Sequence, residues 1–184
     1  MNIVKTEIPD LLIIEPRVFK DERGYFYESY SDKKFKEAGL DYKFVQDNES
    51  QSSYGVVRGL HYQLAPYAQT KLIRVISGNI LDIAVDIREN SPTFGKWLSF
   101  EISGDNKKQL LIPRGFAHGF VVLSKTAVFQ YKCDNLYNPE SERGICYNDP
   151  GLNIDWGLNP EHAIVSAKDK ILPGFENAEM NFVY

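Results

Sequence analysis

Short runs of β-branched, aromatic and aliphatic residues recur along this chain, each broken within a few residues by a glycine-, asparagine- or serine-bearing turn. Residues 11–14, 24–30, 56–61, 71–76, 79–88, 97–102, 109–112, 119–123 and 127–133 read as strands. Within 71–76 and 80–87 the polarity partly alternates, as a strand with two unlike faces requires. Lys71, Ile73 and Val75 therefore fall on one face, with Leu72 and Arg74 on the other. Ser77-Gly78-Asn79 and Ser103-Gly104-Asp105-Asn106 read as hairpin turns. Helix signals are sparse. Ser31 is placed to cap a short helix through Ala38, closed by Gly39, and Asn159-Pro160 opens another. Many short strands at close spacing imply an all-β sandwich or barrel, the double-sheet jelly roll among them, with a few short helices.

The 184 residues suit one domain over 1–184, long enough to bury a sizeable core. No repeat, low-complexity segment or linker interrupts it. A net charge of −4 leaves no general basic face for nucleic acid, although a local basic pocket for a small anion stays compatible with it. Cys133 and Cys146 are too few for a disulfide framework or a thiolate zinc site, and read as structural thiols in a reducing compartment. The first residues include Glu7 and Asp10 and form no apolar signal segment, and no stretch approaches the roughly 20 apolar residues of a membrane span. A cytoplasmic location, without membrane partners, is expected.

Chemistry concentrates around two glycine-flanked histidines. His61 lies in Arg58-Gly59-Leu60-His61-Tyr62-Gln63, and His118 in Pro113-Arg114-Gly115-Phe116-Ala117-His118-Gly119-Phe120. Both stretches read as turns, with His118 opening the strand that follows. Histidine is the side chain best suited to proton transfer near neutral pH. A base needs an orienting partner, and Asp169 in Ser166-Ala167-Lys168-Asp169 is a candidate. Lys71 stands on the apolar side of its strand, unusual for a lysine that is neither paired nor functional. Tyr131 offers a hydroxyl on another strand. Arg23, Arg58, Arg74, Arg88, Arg114 and Lys168 offer a phosphate clamp wherever some of them converge. No P-loop or Rossmann fingerprint is present.

The spacings Gly55 to His61 and Pro113-x-Gly115-x-x-His118 resemble the two cupin motifs. Where a cupin carries H-x-H and a following glutamate, this chain has His61-Tyr62-Gln63 and no such glutamate, so a metal is not expected. A narrower resemblance covers residues 3–175. The stretches F-K-D-E-R-G-Y-F-Y-E (19–28), Q-D-N-E-S-Q-S (46–52), V-V-R-G-L-H-Y-Q (56–63), Q-T-K-L-I-R-V (69–75), S-P-T-F-G-K-W (91–97), I-P-R-G-F-A-H-G-F (112–120), Y-N-D-P (147–150) and S-A-K-D (166–169) are similar, in order and spacing, to the dTDP-4-dehydrorhamnose 3,5-epimerases.

That resemblance implies a cupin-type jelly roll and a homodimer in which N-terminal segments cross between subunits. It implies cofactor-free epimerisation at C3 and C5 of dTDP-4-dehydro-6-deoxy-D-glucose, in dTDP-L-rhamnose biosynthesis toward lipopolysaccharide or cell-wall polysaccharide. It places the general base on His61 with Asp169 behind it, the general acid on Tyr131, and Lys71 near the C4 keto oxygen. Lys71 is also expected to lower the Tyr131 pKa. Arg58 and His118 match residues lining the sugar and phosphate site. Gln46, Asp47 and Asn48 match a nucleotide-sugar contact segment, and Glu142 and Lys168 match further contacts. Tyr137 matches an aromatic position beside the base. Arg23, Phe26 and Glu28 match the arm that reaches the neighbouring subunit's site. The chain departs from the family where W-N-D-P is usual, with Tyr147 first, and where a proline usually follows Trp156, with Gly157 there instead. Relatives that epimerise C3 alone share most of these motifs. Two other classes stay open, a metal-dependent cupin and an inactive sugar-binding module.

Overall fold

A computed structural model describes residues 1–184. In chain order its strands are β1 (Asn2–Lys5), β2 (Leu12–Glu15), β3 (Phe19–Asp21), β4 (Gly24–Phe26), β5 (Gln46–Ser53), β6 (Val56–Gln63), β7 (Lys71–Ser77), β8 (Asn79–Asp86), β9 (Trp97–Ser103), β10 (Gln109–Ile112), β11 (Phe116–Val122), β12 (Thr126–Cys133), β13 (Glu142–Gly144) and β14 (Ile164–Val165). Sheet one runs β1-β2-β10-β7-β12-β5, and sheet two runs β13-β6-β11-β8-β9 with β14 alongside β6. From β5 to β13 the chain passes repeatedly from one sheet to the other, the winding of a jelly roll. A separate hairpin, β3–β4, stands off both sheets.

This winding corrects the two expected hairpins. Ser77-Gly78-Asn79 joins β7 of sheet one to β8 of sheet two, and residues 103–106 lead from β9 to β10 in the same way. Both are corners between layers, and they are tied together by the Gly104 amide donating to the Gly78 carbonyl at 2.9 Å. Short loops rich in glycine and asparagine look alike in sequence whether the next strand pairs with the last or crosses over.

The main core fills the space between the sheets. Ile73, Val75, Leu110, Ile112, Ala127 and Phe129 of sheet one meet Ile80, Ala84, Ile102, Phe116, Phe120 and Val122 of sheet two. Lys71 follows the face of Ile73 and Val75, as alternation requires. Sheet two is also covered outside, where Val57, Leu60, Ile83, Val85, Ala117 and Val121 pack under Leu152 and Trp156. That double burial explains why β11 is buried along its whole length. The helix α1 (Asp32–Glu37), capped by the Ser31 hydroxyl on the Lys34 amide, packs Phe35 on the outside of sheet one. The Asn159-Pro160 signal yields a single 3-10 turn. No helix is long and apolar enough to cross a membrane.

The edge strand β5 escapes sequence reading. Its residues Q-D-N-E-S-Q-S-S carry no apolar alternation because only Ser52 is buried. Polar edge strands are the usual protection against stray pairing. The expected strand 24–30 shrinks to β4, since nothing pairs with the residues beyond Phe26.

The first histidine stretch is strand rather than turn, whereas in the second Arg114-Gly115 forms the expected turn and the strand starts at Phe116. Both histidines lie within strands, β6 and β11, which are adjacent and antiparallel and make His61 the direct partner of His118. His118 is the third residue of its strand; Gly115, at φ +82°, serves the turn before it, and Gly119 marks a close approach between strands. Arg58 pairs with Phe120, so three steps along β6 match two along β11, a β-bulge at Gly59. The extra residue breaks strict alternation. Arg58 and His61 both reach the inner cavity, while Val57, Leu60 and Tyr62 pack outside. Gly59 has φ +114°, and a Cβ there would lie 2.6 Å from Gly119 Cα and from the His118 carbonyl oxygen. Gly59→Ala is therefore expected to cost about 3 kcal/mol or more. Urea unfolding checks this, and a loss below about 1 kcal/mol would show that the strands part freely there.

Candidate active site

A cavity of about 650 Å³ opens between the sheets, over the inner face of β6. From sheet two come Arg58, His61, His118 and Phe120, and from sheet one Asn48, Lys71, Phe129 and Tyr131. The C-terminal segment closes one side. There β14 pairs in parallel with the start of β6, Ile164 with Val56 and Val165 with Val57, and this brings Ser166, Lys168 and Asp169 to the cavity wall.

His61 Nε2 lies 2.8 Å from Asp169 Oδ1. The Asp169 side chain is 5% exposed and that of His61 is 30% exposed, so a buried carboxylate backs an imidazole that reaches solvent. Burial would raise the Asp169 carboxyl, but hydrogen bonds from His61 and the Gly59 amide outweigh it and hold the group below the usual carboxylate value. An ionised Asp169 fixes the proton of His61 on Nε2 and leaves Nδ1 with its lone pair free.

On the opposite sheet, Tyr131 packs against Phe129 at 5.4 Å between ring centroids, and Phe129 stacks on Phe120 at 4.3 Å. Burial raises the Tyr131 pKa, and neighbouring Cys133 and Glu142 act in the same direction. The cation that opposes them is Arg58. The expectation that Lys71 lowers this pKa is therefore corrected. Lys71 Nζ sits 5.8 Å from the tyrosine ring centroid, and the phenol stays protonated, as a proton donor must. Burial also pushes the Lys71 ammonium down. The ammonium makes no ion pair, and the single sealed side-chain polar atom without a partner lies elsewhere, at Asn79 Oδ1, so the Lys71 charge opens onto the cavity. Cys133 is the cross-strand partner of Lys71, and burial raises its thiol to about 11, which makes it inert packing.

The arrangement sets an imidazole backed by a carboxylate on one wall, a phenol on the other, and a lysine without an ion-pair partner in the same cavity. A family model described as dTDP-4-dehydrorhamnose 3,5-epimerase matches residues 5–177. The chain belongs to the dTDP-4-dehydrorhamnose 3,5-epimerase family. Its members are isomerases. The chain is 56% identical to such an epimerase from Shigella flexneri over 170 residues, 92% of this chain and 93% of the relative. Among solved structures it is similar to the dTDP-6-deoxy-D-glucose-3,5-epimerase of Legionella pneumophila in complex with dTDP-4-keto-L-rhamnose. The two share 51% identity and a TM-score of 0.92, covering 96% of this chain and 93% of that one. A 3'-monoepimerase from Streptomyces bikiniensis in complex with dTDP-quinovose is more distant, at 30% identity and TM-score 0.87 over 92% of this chain and 85% of that one.

The other residues matched to this epimerase family fall into three places. Tyr137, Glu142 and Lys168 form a cluster at the rim, where Glu142 Oε2 accepts from the Tyr137 hydroxyl at 2.7 Å and from Lys168 at 2.6 Å. Gln46 joins it by donating to Asn48 Oδ1 and accepting from the Tyr137 amide. Asp47 turns to the other face of β5 and pairs with Lys132 at 2.9 Å. Arg23, Phe26 and Glu28 lie apart from the cavity. Arg23 binds Asp21 at the tip of the β3–β4 hairpin, Glu28 binds Lys34, and Phe26 is 70% exposed.

Some lining residues escape sequence reading. Phe120 and Phe129 look like ordinary core. Asp82, which holds His118, had a legible sign: Asp82, Ala84 and Asp86 share one face of an otherwise apolar strand. Of the family departures, Tyr147 packs against Trp156 at 6.2 Å and accepts its indole proton. Gly157 has φ +62°, which the proline usual there does not adopt. No three His, Cys, Asp or Glu side chains converge anywhere, and each cavity histidine is matched to one carboxylate.

The low pKa of Asp169 has a consequence for stability. A carboxyl depressed in the folded state stabilises above its unfolded value and stops doing so as pH falls through the folded one. Asp169→Asn is expected to cost about 1–3 kcal/mol near neutral pH, with the gap to wild type shrinking as pH falls from about 5 toward about 2. Urea midpoints across that range measure it, and a gap that widens in acid would contradict an ionised Asp169.

Proposed function

We propose that this chain epimerises C3 and C5 of dTDP-4-dehydro-6-deoxy-D-glucose, giving dTDP-4-dehydro-L-rhamnose. The observation that carries the reading is the opposition of His61, backed by Asp169, to Tyr131 across one cavity that also holds Lys71. A proton next to the C4 ketone is acidic because its removal delocalises charge onto the keto oxygen. Nδ1 of His61 takes that proton and the electron pair moves to oxygen as an enolate. Lys71 stabilises the oxyanion, and loss of one such fixed donor typically costs on the order of 10²–10³ in rate. Tyr131 delivers a proton to the opposite face, and the centre is inverted. His61 passes its proton to water through its exposed edge, Tyr131 is reprotonated from water, and the sequence repeats at the second carbon. Only protons move, so the cycle calls for no redox carrier. Identity is higher to enzymes that invert both centres than to the monoepimerase, and this favours two inversions.

Deuterated water tests this reading directly. Wild type should place deuterium at C3 and C5 of the sugar. His61→Ala should abolish uptake at both carbons while still binding dTDP. Tyr131→Phe should keep exchanging α-protons yet give almost no inverted sugar, because the enolate is reprotonated from the side it left. Inversion at the wild-type rate by Tyr131→Phe would assign the acid elsewhere.

The working unit in this proposal is a homodimer in which the β3–β4 hairpin completes a neighbour's site. Phe19, Tyr25 and Phe26 are 50%, 55% and 70% exposed, a cluster of aromatic surface that a lone chain would not favour. Mixing inactive Arg23→Ala/Glu28→Ala protein with inactive His61→Ala protein should restore about a quarter of wild-type activity, one good site in half of the randomly paired dimers. No recovery despite demonstrated subunit exchange would mean that each site is built from one chain.

A further inference from the structure

We propose that Asp82 is a positioning residue which, held against His118 and sealed from water, makes that histidine a hydrogen-bond donor to the bound sugar nucleotide rather than a second base. The proposal rests on the reading of the cavity as an epimerase site. Both Asp82 oxygens approach His118 Nε2, at 2.9 and 3.1 Å. The side chains are 0% and 8% exposed, against 5% and 30% for Asp169 and His61. Two histidines on neighbouring strands thus each carry an aspartate, one pair open to solvent and the other buried.

Burial decides the protonation of the inner pair. His118 stacks on Phe129 at 6.1 Å with 15° between the rings, and Asp82 lies under the apolar inner layer. A net charge is costly there, so the neutral pair is favoured. Burial is the largest influence on each group, pushing the carboxyl up and the imidazole down. Wherever the proton shared between Nε2 and the carboxylate sits, Nδ1 keeps a proton of its own. Nδ1 makes no hydrogen bond and is not a sealed orphan, so it opens onto the cavity that His118 lines. The charged or titratable groups facing the pair are Lys71 on β7 and His61 on β6, with Tyr131 further along β12. Lys71 beside Asp82 and His118 disfavours a further positive charge on the imidazole and works against the burial that raises the Asp82 carboxyl. The exposed pair keeps a lone pair for base work, and the buried pair presents a donor. This is the separation of roles that differing environments impose on like groups.

The full-length protein, labelled with 15N and free of ligand, gives the first test. Long-range proton–nitrogen spectra from about pH 6 to about pH 9 should show a proton on His118 Nδ1 throughout. A bare Nδ1 at neutral pH overturns the proposal, and this readout involves no variant and no substrate. In Asp82→Asn the amide keeps the shape and can donate an N–H to Nε2 as a protonated carboxyl does, whereas Asp82→Ala leaves Nε2 without a partner. KM for dTDP-4-dehydro-6-deoxy-D-glucose should rise on the order of tenfold in Asp82→Ala, with a smaller change in kcat, and should stay near the wild-type value in Asp82→Asn. A folded Asp82→Ala protein with wild-type KM also overturns it. Should that variant not fold, the wild-type spectrum decides alone. A wild type that takes up no deuterium from solvent would end the epimerase reading and leave the His118 spectrum standing.

Discussion

Where β6 and β11 pass one another, at Gly59 and Gly119, there is no room for a side chain, and β6 takes up one residue more than its partner. That bulge turns Arg58 and His61, three positions apart, to the same inner face and sets His61 beside His118. The Gly59 amide also donates to Asp169, so the distortion that aims the imidazole helps seat the carboxylate behind it. A regular strand would bury His61 under Trp156 or bury Leu60 in the cavity. The outer apolar layer of Val57, Leu60 and Tyr62 holds the bulge by packing on the C-terminal segment.

Electrostatics then separates groups of the same type. Two histidines on adjacent strands are each paired with an aspartate, and the surroundings of the two pairs differ more than their distances. Asp169 collects hydrogen bonds at the cavity wall and stays ionised, whereas Asp82 lies deeper, where a charge is costly. Across the cavity Tyr131 is kept protonated by the same lack of water that loosens the proton of Lys71. One low-dielectric chamber thus favours a neutral acid and a weakly held cation, both suited to a reaction that creates charge on an oxygen and removes it again.

The strand pattern was legible because most strands carry an apolar face, and the face shared by Lys71, Ile73 and Val75 followed from alternation alone. The edge strand β5 was not, because only Ser52 faces inward enough to be buried and a polar strand has no periodic signature. Nor were the corners at Gly78 and Gly104, since turn chemistry records the bend and not the sheet that receives the next strand. The residue types of the site were legible through a set of ordered motifs, each weak alone.

By itself, then, the sequence determined the repertoire: which strands exist, which face of each is apolar, and which side chains can move protons. Contact was decided only in three dimensions. His61 and Asp169 meet because β14 lies alongside β6, a parallel pairing between segments far apart in the chain that no local pattern records. The bulge at Gly59 reverses the alternation that would otherwise place His61, and burial, a property of the packed sheets, sets which of two equivalent His–Asp pairs keeps its extra proton.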